Sequence, residues 1–459
     1  MAIKSASRRL LCDTRGATLV LVALMLSALI GFTGLGVETG LWYAIKRQNQ
    51  SAADVAALSG TFELLAGKAY PDICGFAKRD ATRNGFTFQS FTCPTSTPAC
   101  TSPSSGQMCA NNPPQLGANA GNNNAIEVIL AQQQNALFAS LYLANVTIGT
   151  RAVAVISVLD QACVLALDPA ANNAIFIKGN PTLNEPNCSI VADSTSASAI
   201  HLQGSASVIA DTLVTAGGVS TTGNPSFTLS KPAHINAPTV PDPYASTLTH
   251  SFLTTGMPAS CASSTTVGGI TTYPANSKIC GGLDDKKLTI NLSPGTYWIT
   301  DGDLNLDTNG TLECTACNPT TGVGITIILT ISTGTKVGTV TGKSNSTVGN
   351  PPTAPNFNAP SSGTFKGLLI VQDSNGLPAG TTWNTSPTFQ GGPSAVLNGL
   401  IYAPKADMTF NGNPAAGGTG CLILVVNTLT LSGDSQFNST GCSAAGVSPP
   451  TVKTVALAE

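Results

Sequence analysis

Between Arg15 and Glu38 the chain runs for 22 residues without a charge, GATLVLVALMLSALIGFTGLGV. As a helix rising 1.5 Å per residue this run measures roughly 33 Å, enough to cross a hydrocarbon core of about 30 Å. It exceeds the apolar region of a secretory signal peptide, and no small-residue cleavage site leads into a polar mature start, so residues 16–37 are expected to stay as a transmembrane helix. Lys4, Arg8, Arg9 and Arg15 precede it, opposed by Asp13 alone. The positive-inside rule therefore predicts a cytoplasmic N-terminus, residues 1–15, and an extracytoplasmic body after the single span.

The cysteines agree with that topology. Of 13, only Cys12 precedes the span. The even number beyond it suits an oxidising compartment and disulfides rather than metal. Candidates are Cys163, Cys188, Cys261, Cys280, Cys314, Cys317, Cys421 and Cys442, while the pairing of Cys74, Cys93, Cys100 and Cys109 is left open. Cys314 and Cys317 have the C-x-x-C spacing of half a zinc site, but no second pair completes a tetrahedron, so no metal is expected there.

Past the span the helix is expected to continue over residues 38–67, with Val55, Leu58, Phe62 and Leu65 forming an apolar face and Gly67 and Pro71 marking its end. Such a rod, about 75 Å long, would stand clear of the bilayer. Gly36 and Gly40 make a G-x-x-x-G, a helix-packing candidate. Several features now combine: Arg15-Gly16 before the span, Gly-Val-Glu-Thr-Gly at 36–40, Trp42 and Tyr43, and Gln50-Ser-Ala-Ala-Asp54-Val-Ala-Ala-Leu-Ser-Gly60. Together they resemble the N-terminal segment of TadG-like proteins of the tight-adherence (Flp) pilus machinery, over residues 15–60. Glu38 stands where that family more often has aspartate. The resemblance implies a single-pass inner-membrane protein, with its body in the periplasm or extracytoplasmic space and other pilus-assembly proteins as partners. Gly16 is followed by no acidic residue before Glu38, unlike a prepilin cleavage site.

The remainder reads as mainly β. Gly and Pro are abundant, at 46 and 29, and aromatics make up only 5%. Residues 68–160 read as a small α+β domain: a helix in PDICGFAKRDATRNGF, a Cys-rich loop over 92–124, and strands NAIEVILAQQQ and NVTIGTRAVAVISVL around a helical NALFASLYL. Residues 161–445 carry an internal repeat. Gly399 to Tyr402, Met408, Phe410 and Gly412 map onto Gly420 to Ile423, Leu429, Leu431 and Gly433 at a shift of 21, and Phe389 and Gly391 precede by the same step. Ile175, Ile177 and Gly179 recur as Ile200, Leu202 and Gly204 at a shift of 25. Units too small to close a core alone must stack, which predicts a β-solenoid, or single-stranded β-helix. Cys421 and Cys442, one 21-residue period apart, are expected to pair and staple an exposed last coil. Residues 446–459 form a C-terminal tail.

Charge excludes some functions. With 21 basic and 23 acidic residues and a net charge of −2, no basic surface recruits nucleic acid. Asp301, Asp303 and Asp307, near Asp284 and Asp285, could hold a cation weakly, but their alternation with Leu304 and Leu306 predicts the wet face of a strand. Asp193-Ser-Thr195-Ser-Ala197 resembles the D-x-S-x-S metal motif of von Willebrand A domains without its last hydroxyl, and reads as a turn. His201, His234 and His250 are isolated, and neither a nucleophile elbow nor a phosphate-binding loop occurs. The expectation is a structural assembly protein that is not an enzyme and needs no cofactor. The alternative is a tethered carbohydrate-binding or carbohydrate-active β-helix adhesin, with contact to envelope polysaccharide.

Overall fold

The computed structural model describes residues 17–141, 143–318, 320–343, 347–348, 357–390, 397–412, 415–416, 421–438 and 449–459. The chain forms two compact units, one of residues up to Ser157 with Thr454–Glu459, the other Val158–Lys453.

In the first unit one continuous helix, Ala17–Leu65, carries both the apolar run and its extension. A second helix, Tyr70–Arg83, has Pro71 and Asp72 in its first turn, where proline is tolerated and a carboxylate favours the helix dipole. The strands Gln107–Asn111, Ala125–Asn135 and Asn145–Ala166 pair antiparallel in that order. Thr451–Leu457 joins the last of them, so the expected tail is largely a strand, with Val452 and Val455 turned inward. The segment read as a helix, NALFASLYL, is instead the tip of the hairpin, with only a short 3₁₀ turn at Phe138–Leu141. Cys74–Cys93 and Cys100–Cys109 tie the intervening loop to the second helix and the first strand.

Nor is the extended helix a free rod. Ala52, Ala53, Ala56 and Ala57 are wholly buried against Ile73, Ala77, Ile126, Val128 and Ala154. Val55, Leu58, Phe62 and Leu65, the expected apolar face, are only half-buried. Small side chains let the helix axis approach the sheet closely, and a Cβ on Gly60 would already touch Ile126 and Ala77 at 3.4 and 3.6 Å. Size, more than hydrophobicity, selects the buried face.

The second unit is a stack of parallel strands, three to a turn. Along one side the hydrogen-bonded order is Ser277–Cys280, Gly295–Thr300, Ile325–Thr330, Leu368–Gln372, Leu397–Gly412, Leu422–Gly433, Asn145–Ala166, Ser189–Ala192 and Leu213–Thr215. A second side follows the same order, from Leu283–Asp284 to Val219–Gly223. Short strands such as Thr182–Glu185, Ser207–Ala210 and Ser226–Leu229 make the third. At about 4.8 Å per ladder step, nine turns rise roughly 40 Å. The apolar side chains of successive turns fill one continuous core running from Ile279 to Leu213.

The order is not that of the sequence. The chain enters the stack in the middle, at Val164, and winds outward to Val219–Gly223. It then crosses to the opposite end, restarts at Ser277–Cys280 and winds back until Leu424 pairs with Val164 and Leu429 with Ile175. The turn over 421–438 was expected to be an exposed terminal coil; it is internal, covered on both sides. The crossing segment, 231–262, lies along the first side from end to end, after which Thr265–Val267 and Ile270–Tyr273 form a hairpin on the third side. Val240 N–H donates to Asp193 (2.7 Å), Tyr402 O–H to Asp242 (2.7 Å) and Trp298 Nε1–H to Leu253 O (2.7 Å), and Cys261 bonds Cys280 at the far end.

Register is partly as expected. Asp407 to Gly412 pair with Thr428 to Gly433 at the shift of 21, and Ile175 with Ile200 at 25. In the first half of the same strand pair, however, Leu400 faces Ile423 and Tyr402 faces Val425, a shift of 23, with the two extra residues absorbed in an irregularity between Ala403 and Asp407. A slip of two keeps every side chain on its own face, so the apolar pattern is the same for either register. Gly412, Gly433, Gly179, Gly204 and Gly223 stack as one ladder at a corner, all with φ between 79° and 102°.

Candidate functional site

The described residues contain one helix long and apolar enough to cross a membrane, and its apolar half is almost entirely uncovered. Where that half ends, the helix meets the hairpin tip. Glu38, the first charged residue after the span, is buried; its Oε1 accepts from Leu137 N–H (2.5 Å) and its Oε2 from Ala139 N–H (2.8 Å). One turn earlier, a Cβ on Gly34 would lie within 2.7 Å of the Phe138 ring, so only glycine lets this ring lie against the helix backbone. Gly36 and Gly40, the expected packing pair, have open space around them within the chain. Gly34 and Glu38, four residues apart and so on one face, make the contact instead.

Higher up, polar contacts hold the hairpin along the helix. Asn49 Nδ2 donates to Gln132 (3.0 Å), Thr150 Oγ1 to Asn49 O (3.2 Å), and Gln50 Nε2 to both Asp54 Oδ1 (2.8 Å) and Arg151 O (2.8 Å). The Asp54 block thus has a local role: Gln50, fixed by Asp54, reads the sheet backbone. Arg151 itself bridges two carboxylates, Glu127 (2.5 Å) and Glu459 (2.5 Å). Glu127 is wholly buried and also accepts from Asn111 Nδ2 (2.7 Å) and Gln115 N–H (2.9 Å). Sequence reading missed this network because Glu127 and Arg151 lie inside strands whose pattern is otherwise apolar.

Residues 16–67 match the family model described as putative Flp pilus-assembly TadE/G-like. No curated protein and no solved structure matches the chain significantly. The TadE/G-like segment therefore coincides with the long helix: the span, the Glu38 contact to the hairpin tip, and the alanine face on the sheet.

In the body, the acidic residues serve the turns. Asp301 accepts from the backbone N–H of Ser332, Thr333 and Gly334 (3.0, 3.2 and 3.0 Å), and Asp303 from Thr339 N–H (2.9 Å). They hold the corner of the next turn rather than a wet strand face. Asp307 comes together with Asp284 and Asp285, but Lys343 Nζ sits on its Oδ1 at 2.5 Å and supplies the positive charge. Burial, with Asp307 and Asp284 nearby, pushes Asp285 above the usual carboxylate range. Asp193 lies in a turn, as expected, with Ser194 and Ser196 bonded to Ala171 O and Asn172; burial pushes its carboxyl up to about 7. His250 is not isolated: its Nδ1 is 2.6 Å from Asp373 Oδ2, which also accepts from Thr330 Oγ1 (2.6 Å). Burial raises Asp373 against the opposing pull of Thr330 and His250.

Cys163 bonds Cys188 and Cys314 bonds Cys317, so those thiols hold one another. Cys421 is disulfide-bonded, and its expected partner Cys442 lies outside the described residues.

Proposed function

We propose that the protein is a single-pass inner-membrane component of tight-adherence pilus assembly, with its N-terminus in the cytoplasm and its β body in the extracytoplasmic space. Its role is structural: the body offers extended strand faces to other pilus-assembly proteins and carries out no catalysis. The match of residues 16–67 is the observation that carries this reading. The body's acidic groups support it, because each carboxylate of the Asp301, Asp303 and Asp307 series already holds a backbone amide or a lysine.

Replacing residues 16–67 wholesale would also remove the helix that covers the sheet. A cleaner test exchanges only residues 16–33 for an unrelated apolar span and, in a second strain, deletes the body over residues 158–453. Surface pili should survive the first change and disappear with the second. Full piliation without the body would refute an assembly role. A phosphatase joined to the C-terminal end should be active only if the body lies outside the cytoplasm, and an inactive fusion would refute the orientation.

A further inference from the structure

The hairpin tip that Glu38 holds against the helix has a composition of its own. From Val128 to Thr150 the chain carries no charge, a second uncharged run of 23 residues between Glu127 and Arg151. At its centre Leu137, Phe138 and Leu143 are 71, 51 and 50% exposed. Three large apolar side chains side by side in water are costly, and soluble surfaces seldom group them.

Their position says what covers them. Phe138 lies against Gly34, inside the apolar run and about 6 Å along the helix axis on the membrane side of Glu38. Around it Val37 and Leu41 of the helix are equally uncovered. Glu38 is meanwhile consumed by the tip, its carboxylate satisfied by two backbone N–H groups. Ala136 and Ala139 face inward, and Leu137, Phe138 and Leu143 face out. The outward face is therefore continuous with the lipid-facing surface of the span.

We propose that residues 136–141 and 143 form a second membrane contact, a monotopic hairpin tip that inserts Leu137, Phe138 and Leu143 into the headgroup and upper acyl region of the leaflet on the body's side. The occupant of this apolar face is lipid. Two attachments, helix and tip, fix the rotation of the first unit about the helix axis, which a lone helix would leave free. Burial of this kind reaches about 5–10 Å into the interface, comparable with the roughly 6 Å that separate Gly34, where Phe138 meets the helix, from Glu38. The inference rests on the span reading above.

The test uses the full chain in phosphatidylcholine vesicles, with and without bromine on the upper acyl carbons. Tryptophan is introduced at Leu137→Trp or Leu143→Trp in a Trp42→Phe background, whose remaining emission from Trp298 and Trp383 is recorded separately and subtracted, with Leu26→Trp as a probe of the span and Leu116→Trp as a probe of the unit's aqueous surface. The tip probes should show blue-shifted emission, lose intensity in brominated vesicles and resist aqueous acrylamide, as the Leu26 probe does and the Leu116 probe does not. Quenching of the tip probes by acrylamide and not by bromine, with Leu26 still quenched by bromine, would overturn the inference and leave the span intact. Protection of the tip from both quenchers would overturn it in favour of a protein partner or a second copy. A Leu26 probe open to acrylamide would refute the span and the inference together.

Discussion

The join between the two ends of the body's chain can be probed at a single atom. Gly179 has φ 97°, and a Cβ there would lie 2.9 Å from Gly433 O and 3.2 Å from Gly433 N. Both neighbours are backbone, 254 residues away in sequence, in the turn that closes the stack. Gly179→Ala therefore has two costs. An L-residue in the left-handed region loses about 1–2 kcal/mol, and moving a packed backbone by a few tenths of an ångström costs roughly 1–3 kcal/mol more. Gly256→Ala is the control, since Gly256 has φ 77° and nothing within 4 Å of its Cβ position. It should carry the first cost alone.

Because the chain has two units, a single unfolding midpoint would mix them, and hydrogen exchange resolved by peptide is the better assay. Relative to the control, opening of the amides around Ile175–Gly179 and around Leu429–Gly433 should rise about 5- to 150-fold, both segments together. If the turns were stacked in sequence order, Gly179 would have no neighbour at 433. An alanine variant that loosens 175–179 and leaves 429–433 unchanged would refute the middle-entry topology.

The remaining expectations concern buried charge. Asp193 titrates near 7 in the folded protein against an ordinary 3.8, so folding favours its protonated form; that stability is full below about pH 4 and is lost as pH rises through 7, at most about 4 kcal/mol in all. Asp193→Asn keeps an acceptor for Val240 N–H and should flatten this fall, measured by urea unfolding at several pH values; an unchanged slope would refute the assignment. Glu127→Gln should destabilise the first unit by about 2–4 kcal/mol and speed exchange in Thr451–Leu457, because Arg151 loses its buried partner. Arg83→Ala, at an exposed pair with Asp80, should cost under about 0.5 kcal/mol by the same assay, and equal effects would contradict the network. Asp301→Asn together with Asp303→Asn should loosen residues 332–339 by about 1–2 kcal/mol per lost charged acceptor and leave surface pili intact. Loss of a polysaccharide-cleaving activity in that variant would sink the structural reading.

What sequence could carry follows from what each environment demands. Lipid demands an unbroken apolar run, so the span was plain to read, and so was the corner glycine that recurs from Gly412 to Gly433. The buried helix face was not legible, since alanines at 52, 53, 56 and 57 give a weaker hydrophobic signal than Leu58 or Phe62 although they permit the closer approach. The shift of 23 between Leu400 and Ile423 was hidden because strand parity makes it look the same as 21. Glu38 drew notice as a family feature; its partners at Leu137 and Ala139 are some 100 residues away, with no local signal.

Stack order is the least legible property of all, and for a physical reason. The turns offer one another the same apolar ladder, and five of them the same corner glycine, so pattern alone permits many orders. What distinguishes the observed one is the crossing segment over 231–262, whose Val240, Asp242, His250, Leu253 and Cys261 meet turns of the stack in one direction. That strap touches both outer ends of the stack. Cys163–Cys188 and Cys261–Cys280 span only 25 and 19 residues, so they lock neighbouring segments and not the final join. Until Leu422–Gly433 is in place, the edges at Val164 and at Leu400 lie unpaired and open to other chains. Closing the join across some 260 residues costs about 2 kcal/mol more than closing 19 to 25, so it is expected to follow the local turns. Once formed it leaves the strands at Ser277–Cys280 and Leu213–Thr215 as the outer edges, each already overlaid by the strap through Ala262 N–H to Lys278 O and Thr215 N–H to His234 O. Middle entry thus gives a stack in which both ends of the first ladder are covered by the same connection.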